Sequence, residues 1–233
     1  MKAVFLFVVS FLVIPFRSFG QVGDTRDQIA IGVNAGLALN KVGFDPSIKQ
    51  NYHLGPQLGL TLRFTNERYY KILCALQVEL NYSILGWKEN IIDASTNPLP
   101  DRYQRHQHYL QLPLLARLGF GKEAKGLMGF VVAGPQIAYL LTEKELRSDI
   151  WTLGNDGNPD RPHNMYQQYG LKTDNKLDYG ITAGAGLEWH LSKGHLMLEG
   201  RYYYGLRDLF KNGKKDIFNR SNNSYNTFLF NRS

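Results

Sequence analysis

The chain has 233 residues, 13% of them aromatic, with 23 glycines, a single cysteine and a formal charge of +7. One cysteine excludes a disulfide scaffold and a thiolate metal centre, and the length suits one sizeable domain. Setting aside Lys2 and Arg17 leaves 25 basic against 20 acidic residues, a mild +5 that gathers only at KNGKKD (211–216), so nucleic acid is not an expected partner.

The first twenty residues, MKAVFLFVVSFLVIPFRSFG, join a basic Lys2 to an apolar run from Ala3 to Phe16, with small Ser18 and Gly20 ahead of Gln21. This is the pattern of a secretory signal peptide, expected over residues 1–20, and the run is too short to span a bilayer comfortably. From Ile29 onward a different pattern recurs. Odd positions from Ile29 to Leu39 are apolar, while even ones from Ala30 to Asn40 are Ala, Gly or Asn. Leu54–Phe64, Ile72–Tyr82, Leu110–Phe120, Val131–Leu141, Leu177–Leu191 and Leu196–Leu206 alternate in the same way, and period two predicts a strand for each of these seven segments. An eighth strand within SNNSYNTFLFNRS (221–233) is the weakest, because Asn226 shares a face with Phe228 and Phe230.

The apolar faces carry no ionised residue. The opposite faces carry Arg63, Glu79, Arg117, Asp178, Glu188, Glu199 and Arg201 among Gly, Ala, Asn and Gln. A water-facing side would be rich in Lys, Glu and Thr, whereas small and amide residues suit a crowded enclosure. Charge is excluded from a lipid-facing exterior at about 2–4 kcal/mol per Arg or Lys at the midplane, and an eight-stranded barrel has room inside only for side chains. Cys74 falls on an apolar stripe and reads as a small buried hydrophobe. The connections TNER (65–68), GKEAKG (121–126) and SKG (192–194) are short, while those after the first, third, fifth and seventh segments are long. The expected fold is therefore all-β: residues 21–233 form an eight-stranded antiparallel up-and-down transmembrane β-barrel with a filled polar lumen, short periplasmic turns and long extracellular loops. Tyr69, Tyr70, Phe120 and Trp189 are expected at the periplasmic rim, and Tyr82, Trp87, Tyr109, Tyr179 and Tyr204 at the outer one.

LQVELNYSILGWK (76–88), YLQLPLLARLGFG (109–121), VVAGPQIAYLL (131–141), LDYGITAGAGLEW (177–189) and EGRYYYGLRDL (199–209) resemble, in that order, the PorT-like outer-membrane β-barrel family of Gram-negative bacteria. The resemblance spans roughly Ile29 to Leu209 and implies an eight-stranded barrel in the outer membrane; a few members are tied to type IX protein secretion. The C-terminal segment departs from the family by lacking a longer alternating strand that closes in an aromatic.

A lipid hydrolase or protease needs Ser, His and acid groups that converge near a rim. Parity points Ser83 inward with Glu79 and Asn81, and puts His106 and His108 in phase with outward Leu110, so no catalytic residue is expected. GITAGAG lies within a strand and opens no helix, which argues against a nucleotide loop, and no cofactor is expected. HQH (106–108) offers two imidazoles without a third ligand, and no metal site is expected. On the inward faces, Arg63, Arg117, Glu188 and Glu199 lie towards the periplasmic ends, with Glu79 and Arg201 nearer the middle. Such groups are costly to bury unless paired, which predicts a salt-bridged plug; its rival is a polar path for small solutes. The loop SDIWTLGNDGNPDRPHNMYQQYG (148–170) supplies Trp151, Tyr166 and Tyr169 as candidate contact anchors, or as cover over the barrel mouth.

The expected function is that of a non-enzymatic outer-membrane protein, either an accessory of protein secretion or envelope assembly or a surface-binding module. A small-solute pore is the alternative, and a membrane-embedded lipid hydrolase or protease a less favoured one. Expected partners are outer-membrane lipid and envelope or secretion-machinery proteins.

Overall fold

A computed structural model describes residues 24–69, 72–93, 95–121, 126–155, 157–161, 166, 168–191, 194–211 and 219–232. The expected signal peptide, together with Tyr70, lies outside the described residues. One antiparallel sheet contains β1 (Asp24–Asp45), the two-residue β2 (Gln50–Asn51), β3 (His53–Tyr69), β4 (Ile72–Glu89), β5 (Tyr103–Gly121), β6 (Gly126–Arg147), β7 (Leu177–Leu191), β8 (Gly194–Asp208) and β9 (Arg220–Arg232). Each of the eight long strands pairs on both sides, because β1 pairs with β9 as well as β3, and β4 with β5 as well as β3.

The period-two pattern is realised as one exposed apolar face and one buried face. Ile29, Ile31 and Val33 of β1, Leu58 and Leu60 of β3, and Leu110, Leu112 and Leu114 of β5 stand exposed, while Asn34, Gln57, Thr61 and Gln111 are buried. The strands run past the apolar stretches at the ends joined by long loops. β1 and β6 each reach 22 residues, since above the apolar band the alternation continues with polar and aromatic residues. The weakest strand forms in full: β9 pairs Asn34 with Asn231 and Asn40 with Tyr225, and Asn226 does stand on the exposed face with Phe228 and Phe230.

Three placements differ from the sequence reading. Trp87 and Tyr109 do not join an outer aromatic belt, because unbroken parity with Ser83 and Gln111 turns both rings to the buried face, where each has 0% exposure. Cys74 is half-buried and in phase with exposed Leu76 and Leu80. Tyr82, Phe120, Tyr179, Trp189 and Tyr204 do stand exposed. The β5–β6 register also shifts: His108 opposes Thr142 and Tyr109 opposes Leu140, which leaves Leu141 as an extra residue on β6. A bulge of this kind reverses the parity beyond it, and so Glu143 and Glu145 turn towards the buried Arg105.

Close approach explains the glycines of β7. A Cβ at Gly180 would lie 2.1 Å from the Tyr204 carbonyl oxygen and 2.8 Å from the Tyr203 ring, and one at Gly184 would lie 2.8 Å from Cγ of Arg201. The missing side chains make room for the Tyr203 ring and the Arg201 stem.

Candidate functional site

The buried face is organised in layers. At the end joined by short turns, Arg63 of β3 donates to Oε1 of Glu188 on β7 at 3.0 Å, and Arg117 of β5 holds its Oε2. The Arg117 guanidinium lies 3.5 Å from the Phe130 ring centroid, and both arginines reach Sδ of Met197, at 3.5 and 3.3 Å. One layer further in, Arg201 of β8 grips Glu79 of β4 through two bonds of 2.7 and 2.6 Å and also donates to Glu199 at 2.8 Å. Gln77 and Asn81 add donors to Glu79 at 2.6 and 2.8 Å. Six of the seven inward charged residues thus fall into two adjoining clusters drawn from β3, β4, β5, β7 and β8, and the seventh, Asp178, is buried and accepts from Asn223 at 3.0 Å.

Amides and hydroxyls fill the next layer. Asn34 donates to Thr61 and to Asn81 at 3.0 Å each, Gln111 donates to the Tyr225 hydroxyl at 2.7 Å, and Thr182 donates to Gln136 at 2.8 Å. A void of about 10 Å³ remains between Gln57, Asn81, Gln111, Gln136, Arg201 and Tyr225, room for about one water molecule.

At the end joined by long loops, the side chains change to aromatics. Val42, Phe44, Trp87, Ile91, Tyr103, Leu209 and Phe210 form a buried cluster against which Trp151 and Tyr169 pack. The Trp151 and Tyr169 rings stack at 4.7 Å and 20°, so these two candidate anchors are engaged with each other over the strand ends. Tyr166 is half-buried and accepts from the Tyr169 backbone N–H at 3.2 Å. Arg161 links the loops: it donates to Asp101 at 2.8 Å and to the Tyr169 hydroxyl at 3.0 Å, and that hydroxyl donates to Glu89 at 2.8 Å. Burial and the nearby Glu89 carboxylate push the Tyr169 phenol well above its usual range. Beside this chain a cavity of about 650 Å³ opens, lined among others by Asp45, Ile48, Glu89, Ile92, Arg161 and Tyr169.

The hydrolase candidates each bond to other partners. Ser83 is buried and donates to Gln111 at 2.8 Å. His106 contacts His53 at 3.2 Å, while His108 meets the exposed Tyr82 hydroxyl at 2.6 Å.

Two features escaped the sequence reading. The cavity draws on residues from three connections far apart in the chain, which no local spacing encodes. The second is a group of potential metal ligands, Glu188, His190 and His195, whose donor atoms lie within 4.8 Å of one another. Its signal, EWHLSKGH (188–195), becomes visible only when the two strands flanking the short turn are read as paired.

A family model described as outer membrane protein beta-barrel domain matches residues 19–211. Comparison with curated proteins gives no match. Among solved structures, the outer membrane enzyme PagL is similar at 12% identity with a TM-score of 0.44, covering 85% of this chain and 97% of that one. Ail, the attachment invasion locus protein of Yersinia pestis, is similar at 8% identity and TM-score 0.35 (89% and 99% covered), and OprG from Pseudomonas aeruginosa at 12% and 0.36 (90% and 95% covered).

Proposed function

The chain belongs to the outer membrane protein beta-barrel domain family and resides in the bacterial outer membrane, and from that premise we propose that it is a non-enzymatic accessory of protein secretion or envelope assembly that acts through its outer loops. In this reading the eight long strands close into a PorT-like barrel delivered by the signal peptide at residues 1–20. The mutual pairing of β1 with β9 and of β4 with β5 supports closure.

The observation that carries the reading is the contrast between the two parts of the interior. Paired charges and amides pack the middle down to a void of about 10 Å³, while the loop end holds a cavity of about 650 Å³. A solute path needs a continuous wet route, and a binding surface needs concavity with a few fixed polar groups. Against catalysis stands the engagement of Ser83 with Gln111, of His106 with His53 and of His108 with Tyr82. Planar-bilayer recording of the purified protein tests the plug: silence is expected, and steady unitary conductance overturns it in favour of a pore. Photocrosslinking from position 166 in native membranes tests the loops. A discrete envelope-protein adduct that a Trp151→Ala background weakens is expected, and labelling of lipid alone overturns the accessory role.

A further inference from the structure

We propose that the short-turn end of the barrel carries a site for a borderline divalent transition-metal cation of the zinc class, held by Glu188, His190 and His195. The site stands on different residues from the loop cavity and does not depend on what that cavity binds.

The ligands come from one hairpin. Glu188 and His190 are two residues apart on β7, and strand alternation puts both on the same face. His190 is the direct cross-strand partner of His195 on β8, a relation that brings side chains within about 5 Å at their Cβ atoms. The His190 and His195 rings meet at 4.7 Å and 84°. Nε2 of His190 is 3.8 Å from Oε1 of Glu188, and Nδ1 of His195 is 3.0 Å from the same oxygen. Zinc bonds of about 2.0–2.2 Å in a tetrahedron place neighbouring ligand atoms about 3.4 Å apart, and the two separations bracket that value. Closing onto a cation therefore asks for shifts of a few tenths of an ångström at these two edges.

Donor chemistry selects the ion. Two imidazoles with one carboxylate suit zinc and its late first-row neighbours, whereas calcium and magnesium require oxygen-rich shells. His195 is one-third exposed at the barrel end, which leaves a face of the cation open to water. Arg63 and Arg117 oppose the dication, since both already bind Glu188. The cation takes Oε1 in place of the Arg63 bond, and Oε2 remains with Arg117. Metal binding at Nδ1 of His195 takes the neutral ring with its one proton on Nε2: an imidazolium releases its Nδ1 proton to solvent, and a neutral Nδ1–H ring moves that proton to Nε2. The competing guanidiniums make binding weaker than the same three ligands would give without them.

The full mature chain without an affinity tag, in detergent micelles, is titrated with zinc by calorimetry and with cobalt by visible absorption. One saturable site is expected. The double variant His190→Gln/His195→Gln weakens binding by at least about 100-fold, since even an outer-shell partner of a ligand is worth about tenfold and here two direct ligands are lost, while His53→Gln, which alters the other histidine pair, leaves it unchanged. Equal affinity in the double variant, loss of binding in His53→Gln, or no saturable binding by the unaltered protein overturns the proposal. Should the double variant not fold, copper electron paramagnetic resonance on the His53→Gln protein decides. Nitrogen coupling from two imidazoles supports the site, and an all-oxygen spectrum overturns it.

Discussion

Replacing Arg201 with Met removes the cation that bridges Glu79 and Glu199, two carboxylates with 1% and 3% exposure. Removing one partner of a buried pair costs about 3–5 kcal/mol because the other charge is left uncompensated. Here two charges are orphaned, which puts the loss near the upper end, roughly a thousandfold or more in the folding equilibrium. Glu199→Gln is a milder change, since Arg201 keeps its two-bond grip on Glu79 at 2.7 and 2.6 Å and exchanges charged bonds to Glu199 for neutral ones, at about 1–2 kcal/mol. The triple change Glu79→Gln/Glu199→Gln/Arg201→Met regains most of the stability, because a buried ionic group replaced as a whole leaves no orphan. Urea unfolding in lipid vesicles, followed by tryptophan fluorescence, gives the midpoints and slopes that rank the variants. Equal losses for Arg201→Met and Glu199→Gln, within about 0.5 kcal/mol, would refute the reasoning and show that water, not pairing, satisfies these charges.

Gly180→Val is expected to prevent folding into vesicles, since the added Cβ meets the Tyr204 carbonyl oxygen, whereas Gly129→Val folds normally because nothing lies within 4 Å of its added Cβ; a gel-shift folding assay distinguishes them. Asn226→Leu raises stability by about 1 kcal/mol in the same urea titration, because it replaces an exposed amide on the lipid-facing side with apolar surface. Tyr169→Phe cuts the hydrogen bonds to Arg161 and Glu89; at about 1–3 kcal/mol for the groups left unpaired, limited proteolysis of residues 148–176 speeds up while the midpoint of global unfolding stays within error.

Parity made much of this fold readable. Each of the seven alternating segments lies inside a strand, and six of the seven charges assigned inward meet in the two clusters, because a two-residue period commits every side chain once one face is known. Residue type and parity disagree at Trp87 and Tyr109, and parity itself breaks on β6. Trp87 and Tyr109 are odd-numbered like Ser83 and Gln111 and share their face; residue type alone suggests a lipid rim, but an aromatic packs the enclosed end of the sheet as readily. The extra Leu141 reverses parity on β6, and with it the ion pairs of Arg105 with Glu143 and Glu145 became invisible. The loop cavity is set by three connections that meet only in the folded chain.

Charge balance ties the plug to the loops. The Arg63, Glu188 and Arg117 cluster carries one excess positive charge, and the Glu79, Arg201 and Glu199 cluster one excess negative charge. Neither is neutral alone, and they adjoin through Gln77, which accepts from Arg117 at 3.4 Å and donates to Glu79 at 2.6 Å. Together these six charges cancel, and Asp178, which accepts from Asn223 at 3.0 Å, is an inward carboxylate outside them. A one-sign interior would focus field along the barrel axis and draw counter-ions and water into it, as a selective pore requires; a cancelled layer lets the packing close around it. The discriminating groups that remain are at the two ends: the Glu89, Tyr169 and Arg161 relay beside the loop cavity, and the histidine pair at the short turns, where the lower cluster's surplus positive charge sets how tightly a cation is held.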